Sequence, residues 1–359
     1  MRIEIWADVI CGWAHVGRRR LAKALASWDG EPVETVWRPY LIDPTAPSRA
    51  ASPADEPKDA DAPAACAVPG APPAETGAPA ADLGTGPGAG AGFGADSGAG
   101  SGGGSGAGSG AGSGAGSGAV EGLGPASGAE WRADSRPAHR LIALAYESGG
   151  SALQDAVVER VFRAHFVDVV DIGDPAVLAR LAEEAGFADG PALLAAGAGE
   201  ALLRELLLVG KAIGVTTSPT IVANGIALAG AQPPAVIAEF LADAAGRTPR
   251  RLPAEVERLR RAESLLDMRD PLGALTLLGP LLDEHGEDRG VRMLAARAYF
   301  ASAQLNRART SLERLVAESP DDSYARHLLG RTLQRQGRHE EAATHLAMAA
   351  AMTPDYTVD

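Results

Sequence analysis

Residues recur at a fixed interval of 34 in the C-terminal third of the chain, and that regularity excludes most ways of folding it. Ala274, Ala308 and Ala342 keep this spacing, as do Leu278, Leu312 and Leu346, then Leu265, Tyr299 and Leu333, and finally Pro320 and Pro354. A period of this length marks one supersecondary unit that cannot bury its apolar face alone, so copies must stack. The alanines let the two helices of a unit pack closely, and the prolines end the second helix. The last copy is the most complete, with Leu329, Gly330, Leu333, Gly337, Ala342, Leu346, Ala349 and Pro354. The first copy is degenerate. Residues 254–359 are therefore predicted to be all-α, with three copies. Three is near the minimum for an independent array, and no clear capping helix follows Pro354. A terminal face is expected to rest on the rest of the chain or on a second copy of it, a homodimer.

A second stretch constrains the remainder. Gly and Ala are heavily overused between about residues 46 and 135, and a Ser-Gly-Ala-Gly repeat runs to Gly118. Such a stretch has almost nothing apolar to set against its chain entropy, so it is predicted to be a disordered insert. A Gly-rich segment of this length has an end-to-end distance of roughly 50 Å. Its ends can still meet, because closure cost grows only logarithmically with length. Residues 1–45 and 136–246 can therefore form one domain across it, and the plain reading of 46–135 is low-complexity expansion.

Within that domain, residues 2–7 alternate in polarity and read as a strand. Asp8 to Gly12 is a turn, and Trp13 to Trp28 is helical, with Val16, Leu21, Ala24 and Leu25 at helical spacing. Val33 to Ile42 reads as a second strand, so strand–helix–strand makes a parallel crossover. Helical patterns follow at Pro137–Glu147, Leu153–Val167, Asp174–Ala185 and Glu200–Ile213. Pro219–Ala223 and Ile226–Ala229 then flank Asn224-Gly225, a strong hairpin signal. A last helix opens at Gln232-Pro233, with proline in its first turn.

Charge and targeting narrow the function. The net charge of −13 argues against nucleic-acid and anionic-membrane partners, which favour a basic face. The N-terminus has no apolar signal region, and no run of about 18 apolar residues exists, so a cytoplasmic location is expected. Of the two cysteines, Cys66 falls in the insert, so a structural disulfide to Cys11 is not expected in a reducing compartment. The histidines are scattered without metal-ligand spacing. The glycine run lacks the Gly-Lys-Ser/Thr ending of a phosphate loop.

Cys11 is the chemically distinctive residue. It stands where a strand gives way to a helix, so its sulfur faces unpaired helix N–H groups, a position that lowers a thiol pKa to roughly 3.5–7.5. The segment Trp6 to Ala14, centred on Asp8-Val9-Ile10-Cys11-Gly12-Trp13-Ala14, resembles the active-site entry of the DsbA family. It is most similar to the FrnE-like branch, whose pattern is Asp-x-x-Cys-Pro-Trp-Cys. In chain order, Trp37 to Pro44 resembles the second strand, and Phe162 to Phe166 with Asp171-Ile172 the helical insertion. Gly214 to Thr220 resembles the cis-proline loop, and Gly230 to Pro233 the final helix start. The resemblance implies a thioredoxin fold with an inserted helical subdomain. It implies Pro219 in cis beside Cys11 and Ser218 offering backbone to an extended substrate. Gly12 and Trp13 then join Ser218 and Pro219 in binding substrate. The 34-residue unit resembles the tetratricopeptide repeat.

Two positions depart from the family pattern: Gly12 replaces its proline, and Ala14 its second cysteine. A two-cysteine site resolves its own mixed disulfide, and Ala14 cannot. The expectation is a monothiol site with Cys11 as nucleophile, released by an outside low-molecular-weight thiol, with no cofactor or metal bound. His15, one turn on, is a candidate to stabilise the thiolate, although packing is the plainer role. Asp8 is a candidate helix cap or modulator. Cys66 could reach the site on its tether, although a stray cysteine is the plainer reading. The repeats would recruit a protein client. Two alternatives stand beside this thiol–disulfide oxidoreductase. One resembles the kappa-class glutathione transferases and 2-hydroxychromene-2-carboxylate isomerases, which use a small thiol cofactor. The other is a redox-inactive binding scaffold.

Overall fold

The computed structural model describes residues 1–44, 133–248 and 252–356, and the backbone of 81–82. The expected disordered insert and Cys66 lie outside the described residues, apart from the backbone of 81–82. The chain separates into two compact units, Met1–Glu200 with Thr217–Pro249, and Ala201–Thr216 with Arg250–Asp359.

The first unit is built on a sheet. Strand β1 (Arg2–Ala7) leads into α1 (Gly12–Ala26), which returns the chain to β2 (Glu34–Pro39). β1 and β2 pair in parallel, Ile3 opposite Thr35 and Ile5 opposite Trp37. β4 (Thr220–Ala223) lies antiparallel on the other side of β1, followed by β5 (Ile226–Ala229) and the two-residue β3 (Ala81–Asp82), giving the order β2-β1-β4-β5-β3. The Asn224-Gly225 turn behaves as its sequence requires. Both residues have positive φ, 44° and 85°, the pair of values a tight two-residue hairpin demands. β2 ends three residues short of the strand expected to run to Ile42.

The helical insertion begins with α2 (Arg136–Phe166), which breaks at Gly149 and Gly150, where the backbone leaves helical values. Gly150 takes φ 68°, a conformation only glycine adopts cheaply. The two predicted helices are thus present as two helical halves joined at this kink. Then come α3 (Pro175–Glu184) and the short α4 (Gly190–Ala195), which the sequence reading did not include. α2 runs behind β2, whose outer edge would otherwise carry unpaired peptide groups. Buried Gln154 closes that edge: its Oε1 accepts from Trp37 N at 2.8 Å and its Nε2 donates to Trp37 O at 3.0 Å. The core centres on Ile3, Ile5, Leu141, Val157, Val161 and Phe162. α6 (Pro234–Gly246) completes the unit, its Ile237, Phe240 and Leu241 buried. Pro234 rather than Pro233 occupies its first turn. This is the thioredoxin fold with a helical subdomain inserted between β2 and β4.

The second unit opens with α5 (Glu200–Ala212), of which Ala201 onward belongs here. Helices α7 (Ala254–Asp267), α8 (Pro271–Glu284), α9 (Arg289–Ala301), α10 (Leu305–Glu318), α11 (Ser323–Arg335) and α12 (His339–Met352) follow. They pair in sequence as three hairpins, the repeat architecture that the period requires. The 34-residue alanines Ala274, Ala308 and Ala342 are all fully buried. Gly330 shows why smallness matters there. A Cβ at this position would stand 2.6 Å from Leu346 Cγ and 3.2 Å from Ala342 O. Asp288 and Asp322, again 34 apart, cap α9 and α11 through Val291 N at 2.9 Å and Ala325 N at 3.0 Å. α5 covers the outer side of the first, degenerate copy. Its Leu208, Val209 and Ala212 enter the same core as Leu265, Leu277 and Leu281. Glu205 meets Arg258 at 2.5 Å, Lys211 meets Asp270 at 2.6 Å, and Ser264 Oγ donates to Ala212 O at 2.8 Å.

Candidate functional site around Cys11

β1 ends at Ala7, and the next four residues carry the chain over the sheet end into α1. Cys11 is the N-cap of that helix, with extended backbone angles and no side-chain cap bond. Its Sγ donates instead to Ser218 O at 3.5 Å, across the sheet from the loop that enters β4. The Ser218–Pro219 peptide is cis, as the resemblance implies. Gly17 lets this loop approach α1, since a Cβ there would lie 3.1 Å from Pro219 Cγ. A cavity of about 10 Å³ remains between α1 and the loop, touched by Ala14, Gly17, Pro219 and Ala231. Ala14, in the place of the second cysteine, is buried. Gly12 and Trp13 are half-buried at the helix start, and space is open above Gly12.

Electrostatics here correct the expectation of an acidic thiol. Burial pushes the Cys11 thiol up, and the nearby Asp8 charge pushes the same way. Hydrogen bonding from Ser218 and from the backbone of Ala14 and Trp13 works in the opposite direction. The helix N-terminus therefore does act on the sulfur as the sequence suggests, but desolvation outweighs it, because Cys11 is only 4% exposed. At rest the group is a protonated thiol donating to a carbonyl.

His15 lies among aromatic rings. Its ring packs on Phe166 at 4.8 Å and Phe162 at 5.6 Å, and burial, with Arg19 and Arg18, lowers its pKa to about 4. It is neutral near pH 7 and supplies no charge to a thiolate. Packing, the plainer role, is what it does.

Asp8 does not cap α1 either. It is fully buried, and its carboxylate ties separate segments together. Oδ1 accepts from Ile10 N at 3.4 Å and meets His139 Nε2 at 3.2 Å, while Oδ2 accepts from Ile42 N at 2.8 Å. Its own N–H donates to Ser218 Oγ at 2.9 Å. The turn holding Cys11, the exit of β2, the start of α2 and the cis-proline loop all meet at this residue.

Sequence reasoning missed three neighbours. His139, from the first turn of α2, is 3% exposed. Tyr40 is raised by burial and then by the charges of Asp8 and Cys11. His165 is lowered to about 4, mainly by burial, although Asp8 draws it upward. His139 and His165 come from the insertion, on the far side of the low-complexity stretch; no local pattern marks His139, and His165 stood only inside the Phe162–Phe166 segment that carried the family resemblance. Among the described residues no group of histidine, cysteine and acidic side chains could hold a metal ion, and no helix is long and apolar enough to cross a membrane.

A buried thiol at the start of the first helix, facing a cis-proline loop in a sheet with a helical insertion, defines a thioredoxin-fold thiol protein. Residues 2–66 and 123–242 match the DSBA-like thioredoxin domain, and residues 265–331 and 306–357 match the tetratricopeptide repeat. The chain belongs to the DSBA-like thioredoxin domain family and carries tetratricopeptide repeats behind that domain. Among solved structures it is similar to a probable DsbA oxidoreductase from Streptomyces coelicolor, at 23% identity and a TM-score of 0.48, over 70% of this chain and 94% of that one. No curated protein matches it.

Proposed function

We propose that the chain is a thiol–disulfide exchange protein working through one cysteine, of the FrnE-like kind, with its repeats recruiting a protein client. The observation that carries the reading is Cys11 Sγ placed 3.5 Å from the carbonyl of Ser218, the residue before the cis-proline. A thiolate at Cys11 attacks a substrate disulfide. The new bond joins Cys11 to one substrate sulfur, and the other sulfur leaves as thiolate. A low-molecular-weight thiol then attacks the mixed disulfide, freeing Cys11 and leaving as the partner in a new disulfide. Gly12, Trp13 and the Ser218–Pro219 loop border the approach to the sulfur. Tetratricopeptide repeats generally carry protein–protein contacts, which suits recruitment of the client.

The redox-inactive scaffold is the second reading, and the burial of Cys11 with its raised pKa favours it. One experiment separates the two. In a Cys66→Ser background, the folded protein is treated with a small disulfide and the Cys11 adduct is followed by mass. The exchange reading expects an adduct that persists until thiol is added and that Cys11→Ser abolishes. No adduct in the folded state, with full labelling after denaturation, would leave only the scaffold.

A further inference from the structure

The sulfur of Cys11 and the carboxylate of Asp8 share one desolvated region. Ionising Cys11 there puts two negative charges close together, which is costly without a cation. Among the described residues the charged and titratable groups around the site are few, and Arg18 and Arg19, which act on His15, are not among those that act on Cys11. Asp8 comes from the end of β1, Tyr40 from the exit of β2, and His15 from α1. His139, His165 and Asp171 come from the insertion. Tyr40 carries no positive charge. His15 and His165 are held near 4 by burial, so neither is cationic where thiols ionise. What remains is His139, nearly fully buried and hydrogen-bonded to the carboxylate whose charge opposes the thiolate.

We propose that the Asp8–His139 pair is the positioning and charge-balancing element of the Cys11 site: when the Cys11 proton leaves, a proton is held on the imidazole beside Asp8. The thiolate, the carboxylate and the imidazolium then carry one net negative charge, so no second anion is left unbalanced in the site. The electron pair stays on sulfur, and the proton passes through solvent to the pair. No oxidant or further reactant is needed. The same carboxylate fixes Ile10 N, Ile42 N and, through its backbone, Ser218 Oγ. Charge balance and loop geometry are thus set by one residue.

The inference rests on Cys11 being a working thiol, and the test keeps the two apart. The rate of Cys11 alkylation by iodoacetamide is measured against pH in the Cys66→Ser protein, alone and with His139→Gln, Asp8→Asn or both. Glutamine keeps a donor for Asp8 but cannot take a proton. One pKa unit is tenfold in thiolate fraction, so removing the cation paired with Asp8 by His139→Gln is expected to slow alkylation at pH 7 by about that order. Asp8→Asn is expected to speed it, and His139→Gln should add nothing in the Asp8→Asn background. The histidine nitrogen NMR signals of the unsubstituted site give a second readout independent of variant folding. His139 should carry its proton throughout the pH range in which Cys11 is a thiolate, and release it at lower pH once the sulfur is alkylated. A reactive Cys11 whose profile His139→Gln leaves unchanged, or a His139 that stays neutral across that range, overturns the inference alone. A Cys11 that never reacts in the folded protein overturns the function reading and this inference with it.

Discussion

On the proposed single-thiol function, replacing Ala14 by cysteine should give a site that resolves itself. Ala14 N donates to Cys11 O at 3.0 Å, so the two positions lie one turn apart at the helix start. Side chains three apart on a helix have Cβ atoms about 5–6 Å from each other. A disulfide wants them at about 3.5–4.5 Å, so the first turn must tighten slightly. The new sulfur enters beside the cavity of about 10 Å³, which absorbs only part of it, and overpacking of this kind costs about 1–3 kcal/mol. The kinetic gain is larger. A tethered thiol acts at an effective concentration of at least order mM, so against about 0.1 mM external thiol the variant should release its adduct roughly tenfold faster or more. The assay loads Cys11 with a chromogenic small disulfide in the Cys66→Ser background, follows release by absorbance, and detects the internal disulfide by mass. The reasoning is refuted if release from the variant still scales with external thiol. It is equally refuted if the unsubstituted protein clears its adduct with none present.

Other substitutions test the packing and the charges. His15→Phe should leave the Cys11 alkylation profile unchanged, since the ring is neutral and packed against Phe166 and Phe162. It should also flatten the acid limb of stability. A histidine lowered from 6.5 to about 4 contributes stability that is complete above 6.5 and lost as pH falls toward 4. Denaturant midpoints at several pH values check this, and an unchanged slope would count against it. Gly330→Val should destabilise the repeats by about 1–3 kcal/mol, because its Cβ meets Leu346 and the Ala342 carbonyl; a gain in melting temperature would contradict the packing. Asp270→Ala removes a cap bond to Gly273 N at 2.8 Å and the partner of Lys211, and should cost about 1 kcal/mol. Burial works to raise Asp270, but Lys211 and Gly273 hold it below its ordinary value, so its contribution is present at neutral pH and fades on acidification. An acid-melting curve that Asp270→Ala leaves unmoved would exclude that account.

Legibility followed the range of the interactions. The repeat was readable because a 34-residue period samples the same contact several times, at Ala274, Ala308 and Ala342. The hairpin was readable because Asn224 and Gly225 encode their own backbone angles. Cys11, Ser218 and Pro219 were readable through their resemblance to known motifs. The buried layer beneath them was not. Asp8 looked like a cap because capping is the local option for an acid at a turn, and its real partners, Ile42 N and His139, are supplied by distant segments. The acidity of Cys11 was misjudged for the same reason. The helix terminus is visible in sequence, while the desolvation that outweighs it depends on everything packed around the sulfur.

The placement of α5 bears on how the chain can be cut. By family match this helix lies inside the thioredoxin-like domain, yet its apolar side is spent on the first repeat. The boundary drawn by the family match is therefore not the boundary of the folded units. A chain stopped after residue 249 would strand Leu208, Val209 and Ala212 in water, and repeats expressed from residue 254 would lose their lid. Each half carries the other's mark, and neither is a portable module.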